Sequence, residues 1–252
     1  MLSRVCVWDK GLGLMDNELK ENTTYSVILL AAGKGLRMGG SVKKQFLDIA
    51  GHPLITYPLA AFEKSAAAEV ILVTASEDIA YVKRDIVEAY HFEKVSAVVA
   101  GGSERYLSVY EGLKQVSAPY VLIHDGARVC VTQQIIADVA EAAVQYQACE
   151  AAVPSTDTVK LADDAGFVSY TPDRSHVWSI QTPQGFATAL LKQAYERLVA
   201  DNSLTGLTDD AMVVERAFPE KKIRLVMGAY ENIKVTTPKD LVVAEGLLQQ
   251  DR

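Results

Sequence analysis

The chain has 252 residues, of which 49% are hydrophobic and 23% charged, a composition typical of a globular protein with a substantial buried core. Its formal net charge of −7 argues against nucleic-acid binding, because proteins of that class usually present a basic face. The three cysteines have unrelated spacings, which indicates a reducing compartment and no disulfide framework.

The first 24 residues show no hydrophobic periodicity. Asp9 and Lys10 interrupt the apolar stretch there before it reaches the length of a signal peptide, and no run in the sequence approaches the ~20 apolar residues of a membrane span. We therefore predict that residues 1–24 form a disordered or loosely attached extension, with Met15 as an alternative native start, and that the protein is cytoplasmic. Residues 25–252 are predicted to form a single domain.

An apolar run at 27–32 predicts a strand buried on both faces, which is typical of a central strand in a parallel sheet. A glycine-rich loop follows, with Gly33, Gly35, Gly39 and Gly40. Glycines let backbone N–H groups approach a polyanion, and the cations Arg37, Lys43 and Lys44 can offset its charge. The alternative is an ordinary glycine-rich turn with solvated lysines. The spacing differs from the dinucleotide fingerprint, because Met38 replaces the third glycine, and no Gly-Lys-Ser/Thr sequence closes a Walker loop.

Strands and amphipathic helices then alternate as far as Pro154. The predicted strands are 70–75, 95–100 and 120–125, and residues 151–154 close this half of the chain. The predicted helices are 54–65, a helix whose buried face carries Ile79, Val82, Ile86 and Tyr90, and two helices capped by Ser103 and Thr132. This alternation predicts a parallel sheet with helices on both faces. Ligands of such sheets bind beyond the carboxyl ends of the strands, so we expect Gly33, Gly101 and Asp125 to meet in one cleft.

The pattern changes between residues 155 and 184. Residues 158–162 and 167–171 alternate with a period of two around a turn, which predicts a β-hairpin with little helix around it. Pairing with a second subunit would satisfy the edges of this arm, and a surface flap is the alternative.

The last part of the chain returns to helices and strands. We predict threonine-capped helices at 188–200 and 208–218, strands at 223–227 and 233–235, and a final helix with Thr237 as its cap and Pro238 as its first residue.

Four segments carry a resemblance to one enzyme family. They are Leu30–Met38 with Lys44-Gln45, Gly101–Ser108, His124–Arg128 and Asn232–Pro238. These segments resemble nucleotidyltransferases that join nucleoside triphosphates to phosphorylated small molecules, and within them the 2-C-methyl-D-erythritol 4-phosphate cytidylyltransferases. The resemblance implies an α/β fold, with a Rossmann-like, mostly parallel sheet, helices on both faces and a protruding β-hairpin arm. It also implies transfer of CMP from CTP to 2-C-methyl-D-erythritol 4-phosphate in isoprenoid precursor synthesis.

The resemblance implies that Arg37, Lys44 and Lys234 are catalytic. One anion attacks another in this reaction, so neutralisation of charge and in-line positioning should dominate catalysis. Arg37 and Lys44 would hold the triphosphate, and Lys234 would contact the α-phosphate. Lys43 stands where the family usually has proline, so Lys43 and Lys44 remain alternatives for the lysine that faces the triphosphate.

The family motifs also imply a nucleotide site and a metal site. The implied nucleotide-binding residues are Ala31, Ala32, Gly33, Gly35, Gly101, Gly102, Ser103, Ser108, Asp125 and Ala127. Asp125 is the implied ligand of Mg²⁺, a hard cation that takes few carboxylates together with phosphate oxygens. A buried structural pair of Asp125 and Arg128 is the competing interpretation.

The implied substrate-binding residues are Arg128, Thr158, Arg174 and Thr208. Arginine suits the recognition of phosphate. In the family the arms of two subunits cross, so Thr158 and Arg174 would serve the site of the partner in a homodimer. The expected partners are therefore CTP, a polyol phosphate and a second copy of the chain, without nucleic acid or membrane.

Three alternatives compete with this hypothesis. A ribitol- or other polyol-phosphate cytidylyltransferase would share nearly all of these motifs. A non-catalytic nucleotide-binding regulator would lack a charged catalytic group, whereas all of the expected ones occur here. A dehydrogenase on a Rossmann sheet is disfavoured by the missing third glycine.

Overall fold

A computed structural model describes residues 24–33, 43–201 and 203–250 of the chain. The predicted N-terminal extension, apart from Thr24, lies outside the described residues, as do Gly35 and Arg37.

Seven strands form the central sheet, in the order β11-β7-β10-β6-β1-β4-β5. They are β1 (Tyr25–Ala31), β4 (Glu69–Thr74), β5 (Val95–Ala100), β6 (Tyr120–Asp125), β7 (Ala148–Pro154), β10 (Trp178–Ala187) and β11 (Arg224–Met227). Strand β10 is antiparallel to both of its neighbours, and the other pairings in this sheet are parallel. The two remaining pairs are the short hairpin β2 (Asp48–Ile49) with β3 (His52–Pro53), and β8 (Leu161–Ala162) with β9 (Val168–Tyr170).

Helices cover both faces of the sheet. They are α1 (Thr56–Glu63), α2 (Ile79–Tyr81, continued by a π-helix at Val82–Glu88), α3 (Arg105–Leu113), α4 (Gln133–Tyr146), α5 (Thr188–Ala200), α6 (Ala211–Ala217) and α7 (Pro238–Gln250). Successive residues of a strand point to opposite faces, so Leu29 of β1 packs with α1 and α4, and Ile28 packs with α3 and α5. The predicted fold class is confirmed.

The predicted hairpin is present as a protruding arm made of β8 and β9. The Asp163 carboxylate accepts hydrogen bonds from Ala165 N and Phe167 N, at 3.1 and 2.9 Å, and so fixes the turn. Large apolar side chains are exposed along the arm: Leu161, Phe167, Val168 and Tyr170. The main sheet resumes at Trp178, which pairs with Pro154 of β7. Residues 178–184, predicted as part of the arm, therefore belong to the sheet.

Three predicted helix caps are wrong. Helix α3 begins two residues after Ser103, with Glu104 in the cap position. Thr188 is the first residue of α5, and its hydroxyl donates to Ala118 O at 2.8 Å, which ties the helix to the loop before β6. Helix α6 begins at Ala211 rather than at Thr208. The caps predicted at Thr132 and Thr237 are confirmed, and Pro238 is the first residue of α7.

One strand prediction near the end of the chain is also wrong. Residues 233–235 form a loop and no strand, because Val235 N donates to Ala127 O and Val235 O accepts from Lys44 Nζ instead of a neighbouring strand. Residues 181–184 lie inside β10, where the register with β7 shifts. Among the helices of the described residues, none has both the length and the apolar character that a membrane crossing requires.

Candidate active site

The carboxyl ends of β1 and β6 and the loop before α3 surround a cleft of about 570 Å³. A second cavity of about 200 Å³ adjoins it, between the end of β6, strand β10 and the loop before α6. Arg105, Asp125 and Lys234 line both cavities. Two ligands bound side by side would therefore meet at these three side chains.

Asp125, the last residue of β6, is the centre of this charged group. Its Oδ2 lies 2.7 Å from Lys234 Nζ, and its Oδ1 lies 3.3 Å from Arg105 Nε. Burial alone would raise the pKa of Asp125, but the positive charges of Arg105 and Lys234 outweigh burial and hold that pKa well below its ordinary value. The carboxylate is ionised at neutral pH.

Arg105 connects Asp125 to a second, fully buried carboxyl group. Its Nη2 lies 2.8 Å from Asp210 Oδ2, and Asp210 Oδ1 accepts a hydrogen bond from the Tyr195 hydroxyl at 3.0 Å. Burial lowers the pKa of Arg105, but Asp210 and Asp125 outweigh that effect and raise it. Arg105 is therefore a permanent cation held between two acids.

A buried histidine supports Asp125 from behind. The Thr182 hydroxyl oxygen accepts from Asp125 N at 3.1 Å and lies 3.0 Å from His124 Nδ1. Arg128 O can only accept a hydrogen bond, so His124 Nε2, 3.2 Å away, carries a proton and donates to it. Burial lowers the pKa of His124 to about 4, so the ring is neutral at pH 7 and its unprotonated Nδ1 accepts from the Thr182 hydroxyl.

Arg128 joins the end of β6 to two other segments. Its Nη1 donates to Asn232 O at 2.6 Å, and its Nη2 lies 3.4 Å from Ile180 O. The Asn232 side chain donates to Thr182 O at 3.0 Å. Arg128 has a structural function here, and its charge also lies at the wall of the smaller cavity.

The two adjacent lysines point in different directions. Lys43 Nζ forms ion pairs with Glu77 Oε1 at 2.6 Å and with Asp78 Oδ2 at 2.7 Å. Lys44 lines the larger cleft, and its Nζ donates to Val235 O at 2.8 Å. Of the two lysines, Lys44 is therefore the one placed to contact a ligand of the cleft.

Most of the predicted site residues lie around these cavities. The larger cleft is lined by Ala31, Ala32, Gly33, Lys44, Gly102, Ser103, Ser108, Asp125, Ala127 and Lys234. The smaller cavity is lined by Arg128 and Thr208. Gly101 lies just behind the lining, where a Cβ would come within 2.6 Å of Ala32 Cβ and 2.7 Å of Ser108 Oγ.

Two of the described residues that were predicted for the site are not brought to the cavities. Thr158 and Arg174 are exposed on the arm and line neither cavity of their own chain. Gly35 and Arg37 lie outside the described residues. Arg105 was not predicted, although it belongs to the segment Gly101–Ser108 that carries the family resemblance.

The site could hold a hard cation through one carboxylate. Among the described residues there is no group of three or more His, Cys, Asp and Glu side chains placed to hold a metal. Asp125 lines both cavities, and its Oδ1 has the longer of its two cation contacts. A single carboxylate fits Mg²⁺ when the phosphates of a bound ligand supply further oxygens.

Comparisons with known proteins agree with one another. The family model described as IspD: 2-C-methyl-D-erythritol 4-phosphate cytidylyltransferase matches residues 25–250. The enzyme of that name from Lachnospira eligens is 48% identical over 221 residues, covering 87% of this chain and 96% of the relative. The one from Lachnoclostridium phytofermentans is 44% identical over 226 residues, covering 89% and 96%.

Solved structures give the same result. The crystal structure of 4-diphosphocytidyl-2C-methyl-D-erythritol synthase from Anaerococcus prevotii matches with a TM-score of 0.78 and 34% identity, covering 90% of this chain and 98% of that one. The 2-C-methyl-D-erythritol 4-phosphate cytidylyltransferase from Thermus thermophilus matches with a TM-score of 0.70 and 33% identity, covering 89% and 98%.

Replacement of Arg105 by methionine should destabilise the protein strongly at neutral pH. Loss of the guanidinium leaves Asp210 buried without its counter-charge, and breaking a buried pair costs about 3–5 kcal/mol of the free energy of unfolding. Without Arg105 the pKa of each aspartate in the folded state rises, so the deficit should shrink as the pH falls and the carboxyls take up protons.

Urea denaturation at pH 7 and pH 5 measures both effects. The control is Arg84→Met, which breaks the exposed ion pair between Arg84 and Asp85 and should change the stability little. An Arg105→Met deficit no larger than that of the control, or equal at both pH values, would contradict the expected role of the buried pairs.

Proposed function

The chain belongs to the family of 2-C-methyl-D-erythritol 4-phosphate cytidylyltransferases, and we propose that it transfers CMP from CTP to 2-C-methyl-D-erythritol 4-phosphate. An oxygen of the substrate phosphate attacks the α-phosphorus of CTP, the bond from that phosphorus to the β-phosphate breaks, and pyrophosphate leaves. The product, 4-diphosphocytidyl-2-C-methyl-D-erythritol, serves isoprenoid precursor synthesis. The observation that carries the proposal is the pair of adjoining cavities that share Arg105, Asp125 and Lys234.

We assign CTP to the larger cleft. Gly33 and Gly102 line it without side chains, so backbone can approach the nucleotide closely. Ser108 lies at the first turns of α3 and can offer its hydroxyl to the base or ribose. Gly101 keeps its backbone against Ala32, because any larger residue would collide there. This set supports a nucleotide site built from the ends of β1 and β5 and the start of α3.

The cations around the cleft supply the charge that the reaction needs. The attacking group and the triphosphate are both anionic, so stabilisation of the transition state depends on positioned positive charge. Lys234 lies where the two cavities meet and suits the α-phosphate, whose charge increases during attack. Lys44 suits the β- and γ-phosphates as pyrophosphate leaves, and Arg37, by family resemblance, is proposed to assist it.

Mg²⁺ is the proposed cofactor, held by Asp125 and by the phosphates of CTP. When bound, Mg²⁺ neutralises charge on the triphosphate and on the leaving pyrophosphate. The low pKa of Asp125 supports this assignment, because the carboxylate is ionised and available as a ligand at neutral pH. The cytoplasm, where Mg²⁺ and CTP occur, remains the proposed location.

The smaller cavity is the proposed site for the polyol phosphate. Arg128 contributes its positive charge to the wall of this cavity, and Thr208 contributes a hydroxyl group beside Asp209. The terminal nitrogens of Arg128 already contact backbone carbonyls, so its proposed effect on the substrate phosphate is mainly electrostatic. Further phosphate contacts would have to come from elsewhere.

We propose that the arm of a second subunit supplies these contacts. Thr158 and Arg174 line neither cavity of their own chain, and the arm exposes Phe167 at 72% and Val168 at 61% of their surface. Exposed apolar side chains on a two-stranded hairpin favour an intermolecular contact. A homodimer with crossed arms would cover them and bring Arg174 to the partner's site.

Pyrophosphate release with CTP, Mg²⁺ and a panel of polyol phosphates tests the proposed function. Methylerythritol 4-phosphate should be turned over fastest, and replacement of CTP by ATP, GTP or UTP should lower the rate. Faster turnover of ribitol 5-phosphate would contradict the assignment of methylerythritol phosphate as the acceptor. Transfer of CMP from CTP would then stand with a different acceptor.

Replacement of Lys44 or Lys234 by alanine should lower kcat by about 10²–10³-fold, the usual effect of losing one charge contact in the transition state. Lys43→Ala is the matched control, since Lys43 is engaged by Glu77 and Asp78, and its kcat should stay within a few-fold of wild type. Steady-state kinetics with folding checked by circular dichroism measures this. Equal losses in Lys43→Ala and Lys44→Ala would remove the distinction between the two lysines.

Mixing two inactive variants should restore activity if the arms cross. Lys44→Ala damages the core of its own chain, and Arg174→Ala damages the site of the partner. Random exchange makes half of the dimers mixed, and each mixed dimer has one intact site, so activity should approach about a quarter of the wild-type value.

Lys160→Ala serves as the control for the arm, because it also removes an exposed cation there but contacts Thr171 of the same arm. That variant should be active by itself. No recovery after verified subunit exchange would rule out the crossed-arm dimer, because each site of an uncrossed dimer keeps one lesion.

A further inference from the structure

Glu150, in the middle of β7, is a buried carboxyl group outside the cavities. It is 7% exposed, and its Oε2 lies 3.0 Å from Gln184 Nε2, on the neighbouring strand β10. Gln184 itself is 1% exposed and lines the smaller cavity. Glu150 is therefore separated from the proposed substrate site by one side chain.

Gln184 holds the chain just before α6 through its carbonyl oxygen. That oxygen accepts hydrogen bonds from Asp210 N at 2.9 Å and from Ala211 N at 3.3 Å. Because the two N–H groups need an acceptor, the orientation of the amide is fixed, and its Nε2 must donate toward Glu150. Loss of Glu150 would leave a buried N–H group without its acceptor and let the amide turn.

The residues that Gln184 holds form part of the site. Thr208 and Asp209 line the smaller cavity, and Asp210 is the ion-pair partner of Arg105, which reaches Asp125. A displacement of residues 208–211 would therefore change the wall of the substrate cavity and the position of Arg105.

We propose that Glu150 is a positioning residue for the polyol-phosphate site, acting through Gln184 on residues 208–211. This inference rests on the proposed function, since the substrate of the smaller cavity comes from it. The CTP cleft shares with the smaller cavity only Arg105, Asp125 and Lys234 among the described residues. The effect of Glu150 should consequently fall on KM for the polyol phosphate more than on KM for CTP.

The charges around Glu150 make this contact sensitive to pH. Burial and the nearby acids Asp209, Glu215 and Asp210 raise the pKa of Glu150 to about 8. The in-register neighbours on β10 and β11 are the uncharged Gln184 and Leu225, and α4 packs on the opposite face, where Val139 O is the neighbour of Cys149. At neutral pH the carboxyl is therefore mostly protonated.

Ionisation of Glu150 should weaken the arrangement around α6. The folded structure raises the pKa of Glu150 because it disfavours the ionised carboxylate. Once Glu150 is ionised, states in which the neighbouring acids lie farther away are therefore favoured. Protonated Glu150 stabilises the arrangement of residues 208–211. This stabilisation is complete below the ordinary pKa of a glutamate and is lost as the pH rises through about 8. Residues 208–211 should accordingly be held less tightly above that pH.

The test is the pH profile of kcat/KM for methylerythritol phosphate in wild type and in Glu150→Gln. Wild type should lose about 3- to 10-fold between pH 7 and pH 9, because ionised Glu150 favours states in which Asp209 and Asp210 lie farther away. Glu150→Gln cannot ionise, so the two profiles should separate above pH 8 and converge below pH 7. KM for CTP should separate less, because the CTP cleft shares only Arg105, Asp125 and Lys234 with the smaller cavity among the described residues.

Two further variants sharpen the test. Glu150→Ala should raise KM for methylerythritol phosphate by about 3- to 10-fold at pH 7 with little change in KM for CTP. Glu215→Gln removes one exposed negative charge that raises the pKa of Glu150. In this variant kcat/KM for methylerythritol phosphate should therefore begin to fall at a lower pH than in wild type. A purely structural role of Glu150 would not shift the profile in this direction.

The outcomes separate the inference from the proposed function. If wild type is active and kcat/KM for methylerythritol phosphate falls at alkaline pH equally in wild type and in Glu150→Gln, only the inference is overturned. A wild-type enzyme with no turnover of any polyol phosphate overturns the proposed function. In that second case the pH dependence of unfolding still tests the raised pKa of Glu150. Glu150→Gln should gain stability relative to wild type as the pH rises from 5 to 9. If the difference in free energy of unfolding between the two proteins does not change with pH, the inference is overturned as well.

Discussion

The ion pairs of Asp125 are the constraint on which the rest of the site depends. Its carboxylate lies between Arg105 and Lys234, at 3.3 and 2.7 Å, and these three residues come from the start of α3, the end of β6 and the loop before α7. The same three side chains separate the two cavities. A transfer between two anionic substrates needs positive charge at their meeting point, and this cluster places it there while keeping both cations paired.

The polar side chains of β10 hold this cluster in place. Thr182 supports Asp125 and His124, and Gln184 holds the segment before α6. Strand β10 is also the antiparallel strand of the sheet, and it brings these groups between β6 and β7. These contacts are buried, so loss of one partner would leave the other polar group without both water and a hydrogen bond. That loss would carry much of the desolvation penalty of the group, which is why the contacts hold firmly. The fold thus fixes the site through hydrogen bonds that lie beneath the cavity floor.

The sequence predicted the parts of the structure that depend on local pattern. Strand β1, strand β6 and helix α4 are apolar or periodic enough to be recognised by themselves, and the glycine segments mark the cleft. Strand β10 was missed because its polar residues are matched to partners far along the chain, Gln184 with Glu150 for instance, so no alternation is visible. The strand predicted at 233–235 is a loop for the same reason, since its backbone pairs with Ala127 and the Lys44 side chain. Arg105 stood in a recognised motif, but its two carboxylate partners lie 20 and 105 positions away.

In the proposed arrangement each cavity takes one substrate, and the reacting phosphates meet at Asp125, Arg105 and Lys234. A crystal structure with Mg²⁺ and a non-hydrolysable CTP analogue tests it most directly. We expect the base beside Gly102 and Ser108, the α-phosphate at Lys234 and the outer phosphates near Lys44. The smaller cavity should remain free for the polyol phosphate. A triphosphate bound in the smaller cavity beside Arg128, or a nucleotide away from Asp125, would contradict it.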